Sequence, residues 1–290
     1  MSNNRLETSL DIDRLPTPEI VDLIQAEDAR VPAAVASERR RIARAIDEIA
    51  ERMKSGGKLF YAGAGTSGRI AMLDAAEIPP TYGISADLVQ VIMAGGRDAF
   101  FRAVEGAEDD EAAAIAEVTK KVDASDSVIG VAASGTTPFT VAAIRRANMN
   151  GALTVGITST PNTPLVRECD IPIVIETGPE VIMGSSRMKS GTAQKLVLNT
   201  ISTAVMVRLG HVYSNLMVDM PATNAKLRRR ASKMVELAAN LTPDLAAKAL
   251  EASAGNVRRA IVIARLGVSD RDAEELLEKH GGRLREVLED

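Results

Sequence analysis

Residues 63–68 read Gly-Ala-Gly-Thr-Ser-Gly and combine free backbone with two hydroxyls, a combination suited to gripping an oxyanion. The apolar run 59–61 precedes them, and Ile70, Leu73, Asp74 and Glu77 follow at helical spacing before Pro79-Pro80. That pattern predicts a strand, a loop, and a helix stopped by the two prolines. In such a unit the loop lies at a helix N-terminus, where unpaired N–H groups and the positive dipole end attract phosphate. Thr66 and Ser67 add hydroxyl donors. The same letters also spell G-x-G-x-x-G, but a nicotinamide site needs an Asp or Glu about 20 residues on to hold the ribose. Here the next apolar run, 88–93, ends in Ala94-Gly95-Gly96 with no acid. A phosphate ester is the better fit.

Proton transfer beside that phosphate falls to carboxylates. The two histidines, His211 and His280, are far apart and lack any spacing that would make a metal set. Cys169 is the single cysteine, which excludes an internal disulfide and reads as a structural thiol. A G-x-S-x-G nucleophile elbow is not matched by GTSGR or ASGTT. Glu77 is the best-placed acid, because a carboxyl at the negative end of the helix that begins with Ser67 is a candidate proton donor. The acidic stretch AVEGAEDDE, residues 103–111, offers Glu105, Glu108 and Glu111, and the residues alone do not choose among them.

The rest of the chain must position these groups. At 290 residues, 46% hydrophobic and 26% charged, it has the composition of a globular protein with room for a large domain and a small annex. No apolar run approaches the roughly 18 residues needed to span a membrane. Aromatics make up 2% and Trp is absent, so stacking platforms for single-stranded nucleic acid are missing. A net charge of -4 without a basic face also argues against polyanions. The polar N-terminus lacks the build of a signal peptide, so the expected location is cytoplasmic.

Helices are expected from Thr17 and, as one continuous element, over 31–53, with residues 1–15 as an arm that is poorly ordered or lent to a partner. Strands are expected near 88–93, 127–132, 152–157 and 171–175, with helices over 112–122, 139–149 and 192–209. This alternation implies an α/β fold, a doubly wound parallel sheet. Ligands in that class bind at the carboxyl ends of the strands. Two further hydroxyl-rich turns, Ser134-Gly135-Thr136-Thr137 and Gly184-Ser185-Ser186, fall there too. The three turns are expected to converge on one anionic ligand. Three parts follow: an N-terminal arm and packing helices (1–55), the sheet domain with the anion-binding turns (56–227) and a small all-helical C-terminal domain (228–290).

The motifs GAGTSGRIAMLDAAEIPPTYG (63–83), AGGRDAFFRAVEGAED (94–109), ASGTTP (133–138), GSSRMKSGTAQKLVLNTIST (184–203) and NLMVDMPATNAKL (215–227) together resemble the N-acetylmuramic acid 6-phosphate etherase family. The resemblance covers almost the whole chain. It implies a sugar isomerase (SIS) domain followed by a helical domain, a homodimer, and no cofactor. The implied reaction cleaves the D-lactyl ether of N-acetylmuramate 6-phosphate, yielding N-acetylglucosamine 6-phosphate and D-lactate. The family's catalytic acid falls on Glu77 and its second active-site glutamate on Glu108, which breaks the tie left above. The SIS phosphate pattern Ser-x-Ser-Gly-x-Thr falls on Ser134, Gly135 and Thr137, with Ser67 from the first loop. Ala132 stands in place of the first serine, so one phosphate hydrogen bond of the pattern is missing. Ser185 and Ser186 are expected to touch the sugar. An aldose-ketose isomerase and a non-catalytic phosphosugar sensor are the alternatives. Release of D-lactate separates them from an etherase.

Overall fold

The computed structural model describes residues 5–220 and 224–290. Contacts divide the chain into two compact units, the first running to Ala76 and resuming over Ala86–Val205, the second comprising Glu77–Ser85 and Met206–Asp290.

In the first unit, two short 3-10 turns (Glu7–Ser9 and Ile12–Arg14) lead into α1 (Thr17–Asp28), α2 (Val31–Ser37) and α3 (Arg39–Lys54). The expected single helix over 31–53 is therefore two. Ser37 Oγ donates to the Ala34 carbonyl at 2.7 Å, and the Glu38 N–H donates three residues back to Val35 at 3.1 Å. A serine competing for helix carbonyls tightens the turn, and the chain leaves helical geometry at Glu38.

Five strands follow: β1 (Leu59–Gly63), β2 (Val89–Met93), β3 (Ser127–Val131), β4 (Leu153–Thr158) and β5 (Ile171–Val174). They pair in parallel in the order β2-β1-β3-β4-β5. Every residue of β1, β3 and β4 is buried, which is why these segments read as unbroken apolar runs rather than alternations. One face packs Phe60, Ile92 and Val128 against Ala114 and Val118 of α5 (Glu111–Lys121) and Ile144 of α6 (Pro138–Met149). Past the short α7 (Pro164–Glu168), β5 forms an edge, with Pro172 in it. Asp126, 3% exposed, ties the starts of β1 and β3 together by accepting the Lys58 and Asp123 N–H groups, each at 2.7 Å. Asp126→Ala strips both donors of their partner and is expected to cost about 2 kcal/mol, read as a lower urea midpoint at unchanged slope.

Helix α4 (Gly65–Tyr82) starts one residue after β1, so Thr66 and Ser67 sit in its first turn rather than in a loop. It also runs through Pro79 and Pro80, correcting the expected stop. Proline lacks an N–H, so the carbonyls of Ala75 and Ala76 lose their helical donors, but a proline carbonyl still accepts. The Gly83 N–H donates to Pro79 O at 2.9 Å, and Thr81 Oγ1 to Glu77 O at 2.6 Å, closing the last turn. The other long helix, α8 (Lys189–Arg208), begins three residues earlier than the apolar pattern suggests. The carboxylate of Glu180 accepts the Lys189 and Ser190 N–H groups at 3.0 and 2.9 Å, capping that N-terminus from outside the helix.

The second unit holds an unanticipated hairpin, β6 (Val212–Tyr213) and β7 (Leu216–Met217), whose Ser214 has a φ of 53°. Helices α9 (Ala225–Ala239), α10 (Pro243–Ala252), α11 (Val257–Leu266), α12 (Asp270–Lys279) and α13 (Leu284–Glu289) follow. Asn224, Asn256 and Ser269 cap α9, α11 and α12. Val235, Leu250, Ile261 and Leu284 lie in their common core. Asp219 accepts from the Arg258 guanidinium and pairs with His211 Nδ1 at 2.5 Å. Among the described residues no helix is long and apolar enough to cross a membrane.

Candidate active site

The chain goes from β1 to β2 on one side and returns to β3 on the other, so its winding reverses between β1 and β3. Crevices of doubly wound sheets open at that point, beyond the carboxyl ends of the strands. Register pairs Gly63 with Val131, so the turn after β1 and the turn after β3 leave the sheet side by side. At the first, Gly68 is the earliest residue of α4 whose N–H reaches back, donating to Ala64 O at 3.2 Å. The N–H groups of Gly65, Thr66 and Ser67 belong to the open end of the helix.

At the second turn, Ser134 Oγ accepts the Thr136 N–H at 3.2 Å and lies 3.1 Å from its hydroxyl. Gly135 has a φ of 67°, and a Cβ there would lie 2.2 Å from Thr163 Oγ1. Only glycine satisfies both conditions. Thr137 precedes α6 without a capping hydrogen bond from its side chain, and Pro138 supplies the first helical residue. Its hydroxyl is not spent on the helix end.

The third turn comes close to the first through α8. A Cβ on Gly191 would lie 3.3 Å from Ile70 Cδ1, 3.5 Å from Ser186 O and 3.8 Å from Thr66 Cγ2. Ser185 and Ser186 are half-buried within a tight bend, in which the Met188 N–H donates to Ser185 O at 3.2 Å. Gly184 and Ser190 line a cavity of about 400 Å³ with Ser159, Thr160, Glu176 and Glu180.

Glu108 lies on a 3-10 turn, Ala107–Asp109, entered through Gly106 at a φ of 71°. The Arg69 guanidinium donates to the carbonyls of Ala99 and Arg102 at 3.0 and 3.1 Å, pinning the preceding loop to the first turn of α4. A cavity of about 200 Å³ results, lined by Ala64, Gly65, Arg69, Glu105 and Glu108. Glu111 is the first residue of α5, behind the capping Asp110, and lies outside that lining. Glu77 is exposed near the end of α4 and belongs to the second unit, whereas Ser67, Glu108, Ser134, Gly135, Thr137, Ser185 and Ser186 all belong to the first. Among the described residues no cluster of His, Cys, Asp and Glu could hold a metal ion.

Cys169 is half-buried, and burial pushes its thiol up to about 11. Burial disfavours the thiolate, so at pH 8 about one thiol in a thousand is ionised. Labelling of the native protein by a thiol reagent is expected to be slow at pH 8 and to climb as pH approaches 11, whereas urea-unfolded chain labels readily at pH 8.

Comparison with known proteins agrees with this architecture. The family model for the glucokinase regulatory protein N-terminal SIS domain matches residues 41–149, and the SIS domain model matches 103–204. In shape the chain is similar to a phosphoheptose isomerase from Francisella tularensis, with a TM-score of 0.53 over 67% of this chain and all of that one, at 15% identity. In sequence it is similar to an N-acetylmuramic acid 6-phosphate etherase of Symbiobacterium thermophilum, 53% identical over 92% of this chain and 89% of the relative. A second relative of the same name, from Clostridium beijerinckii, is 47% identical over 100% of this chain and 95% of its own length. Similarity of this depth along nearly the full length settles kinship: the chain belongs to the N-acetylmuramic acid 6-phosphate etherase family.

Proposed function

We propose that the protein cleaves the D-lactyl ether of N-acetylmuramate 6-phosphate to N-acetylglucosamine 6-phosphate and D-lactate. Membership of an etherase family makes it an enzyme acting on a carbon–oxygen bond. The observation that carries the substrate assignment is the 53% identity to a named etherase over 92% of the chain. The hydroxyl-bearing turns beyond β1 and β3 support it, since a 6-phosphate needs donors at the open end of a helix.

The chemistry follows from the substrate. An alkyl ether resists direct displacement in water, but one placed β to an aldehyde leaves by elimination. Ring opening exposes C1 as that aldehyde and acidifies the proton on C2. Glu108 takes this proton, the electron pair moves into a C2–C3 double bond, and the C3–O bond breaks. Glu77 protonates the departing lactate oxygen. Water then adds at C3 with the two roles reversed, each acid or base contributing about 10²- to 10⁴-fold. The carbonyl of the sugar is the electron sink, so no cofactor is called for. Ser67, Ser134, Thr137 and the backbone at Gly135 hold the phosphate, and Ser185 and Ser186 touch the sugar ring.

The reading is completed by a homodimer in which α4 of one protomer brings its Glu77 to the phosphate site of the other, and α4 exposes Met72 and Leu73 for such a contact.

The test is a D-lactate assay on purified protein with N-acetylmuramate 6-phosphate in deuterated water. Lactate should appear together with product labelled at C2. Isomerised sugar without lactate, or binding without turnover as in a regulatory SIS protein, refutes the proposal.

A further inference from the structure

Asp74 is 5% exposed, yet it accepts three hydrogen bonds and no cation reaches it among the described ion pairs. Tyr61 of β1 donates its hydroxyl to Oδ2 at 2.7 Å, while Asn199 Nδ2 and Ser202 Oγ of α8 donate to Oδ1 at 2.5 and 2.9 Å. Tyr61 is fully buried, and burial followed by the neighbouring carboxylate holds its phenol well above the usual range, so it remains a donor. A carboxylate without a cation in an apolar interior is unfavourable unless hydrogen bonds replace its water, which these three donors do. Leu73 beside it is 59% exposed, so the face of α4 turned to the sheet and α8 carries the acid rather than the leucine.

The position along α4 gives this arrangement a purpose. Glu77 follows Asp74 by three residues, about 60° around the helix, at the border of the buried stripe Ala71, Asp74, Ala75, Ile78 and Tyr82. Immediately beyond, Pro79 and Pro80 leave the carbonyls of Ala75 and Ala76 without helical donors. The turn that carries Glu77 therefore keeps fewer of the helix's own backbone hydrogen bonds, with Thr81 Oγ1 donating to Glu77 O at 2.6 Å. The last strong anchor before it is the carboxylate of Asp74, held by the sheet and by α8 at once.

We propose that Asp74, clamped by Tyr61, Asn199 and Ser202, is a positioning residue that sets the rotation of α4 and thereby aims Glu77 at the leaving oxygen. The inference rests on Glu77 being the acid of the proposed reaction. It separates two events that Glu108 and Glu77 divide between them, since exchange at C2 needs the base alone whereas lactate release needs the aimed acid as well.

The experiment measures D-lactate release, KM for N-acetylmuramate 6-phosphate, deuterium exchange at C2 and the thermal midpoint in Asp74→Asn, Asn199→Ala and Ser202→Ala, with Glu77→Gln as reference. Release in Asp74→Asn is expected to fall between about tenfold and a hundredfold, the scale of a small misplacement of a catalytic group. KM should stay within about twofold, since phosphate binding is untouched. Exchange at C2 should persist, as it should in Glu77→Gln. If Asp74→Asn does not fold, the two milder variants must show the same separation at a smaller size. Exchange and release falling together, or neither falling in folded variants, overturns the positioning role. Lactate release preserved in Glu77→Gln overturns the acid assignment itself and removes the basis for the inference.

Discussion

Replacing Glu108 by glutamine is expected to lower D-lactate release by about 10²- to 10⁴-fold and to abolish deuterium exchange at C2. Glutamine keeps the length and shape of the side chain but cannot take a proton, so the loss is chemical rather than structural. The site tolerates the change because Glu108 is exposed on its 3-10 turn and the loop is pinned by Arg69, not by Glu108. Folding and phosphosugar affinity should therefore be close to those of the parent protein. Glu105 lines the same cavity and is the natural comparison, with Glu105→Gln expected to retain exchange. The reverse pattern, with Glu105→Gln inactive and Glu108→Gln active, would move the base to Glu105. Exchange and release measured together on both variants decide the matter.

Lys189→Met carries the largest expected cost in stability. Lys189 Nζ lies 2.5 Å from Glu27 Oε2, with side chains 1% and 7% exposed. Removing one partner of a buried pair strands the other charge, a loss of about 3 to 5 kcal/mol. Arg30 still reaches Glu27 Oε1 at 3.1 Å, but its own side chain is 71% exposed and its pairing is screened by solvent. The expected loss is therefore at the lower end, about 3 kcal/mol, measured by urea unfolding. The cap on α8 is unaffected, because Glu180 receives backbone N–H groups that any residue supplies. Glu27→Gln combined with Lys189→Met should recover much of the loss, since no charge then remains buried. A double variant as unstable as the single one would show that Lys189 acts through packing instead.

The sheet was legible because buried parallel strands need apolar residues on both faces, and β1, β3 and β4 state that directly. Glycine and hydroxyl residues at their ends marked the turns for a related reason: little else fits there, as the crowded space around Gly135 shows. What escaped the sequence depended on particular hydrogen bonds and caps that residue types alone do not announce. Pro79 and Pro80 look like a stop, and the helix passes through them because its last turn closes on Pro79 O and on the Thr81 hydroxyl. The start of α8 is fixed by Glu180, nine residues before Lys189, which no local pattern announces. Glu105, Glu108 and Glu111 are equivalent as letters, and only the left-handed Gly106 and the capping Asp110 give them different surroundings. Asp74 was the most concealed, since Leu73 beside it is the residue that hydropathy would place inside.

Pro172 bears on how the molecule behaves when crowded. The Ile175 N–H points inward to Thr158 O at 2.8 Å, and strand amides alternate in direction, so the nitrogen of Pro172 faces away from β4. That nitrogen carries no hydrogen. A foreign strand laid along this margin would find a missing rung in the ladder, a discouragement to open-ended stacking of chains during synthesis or heating.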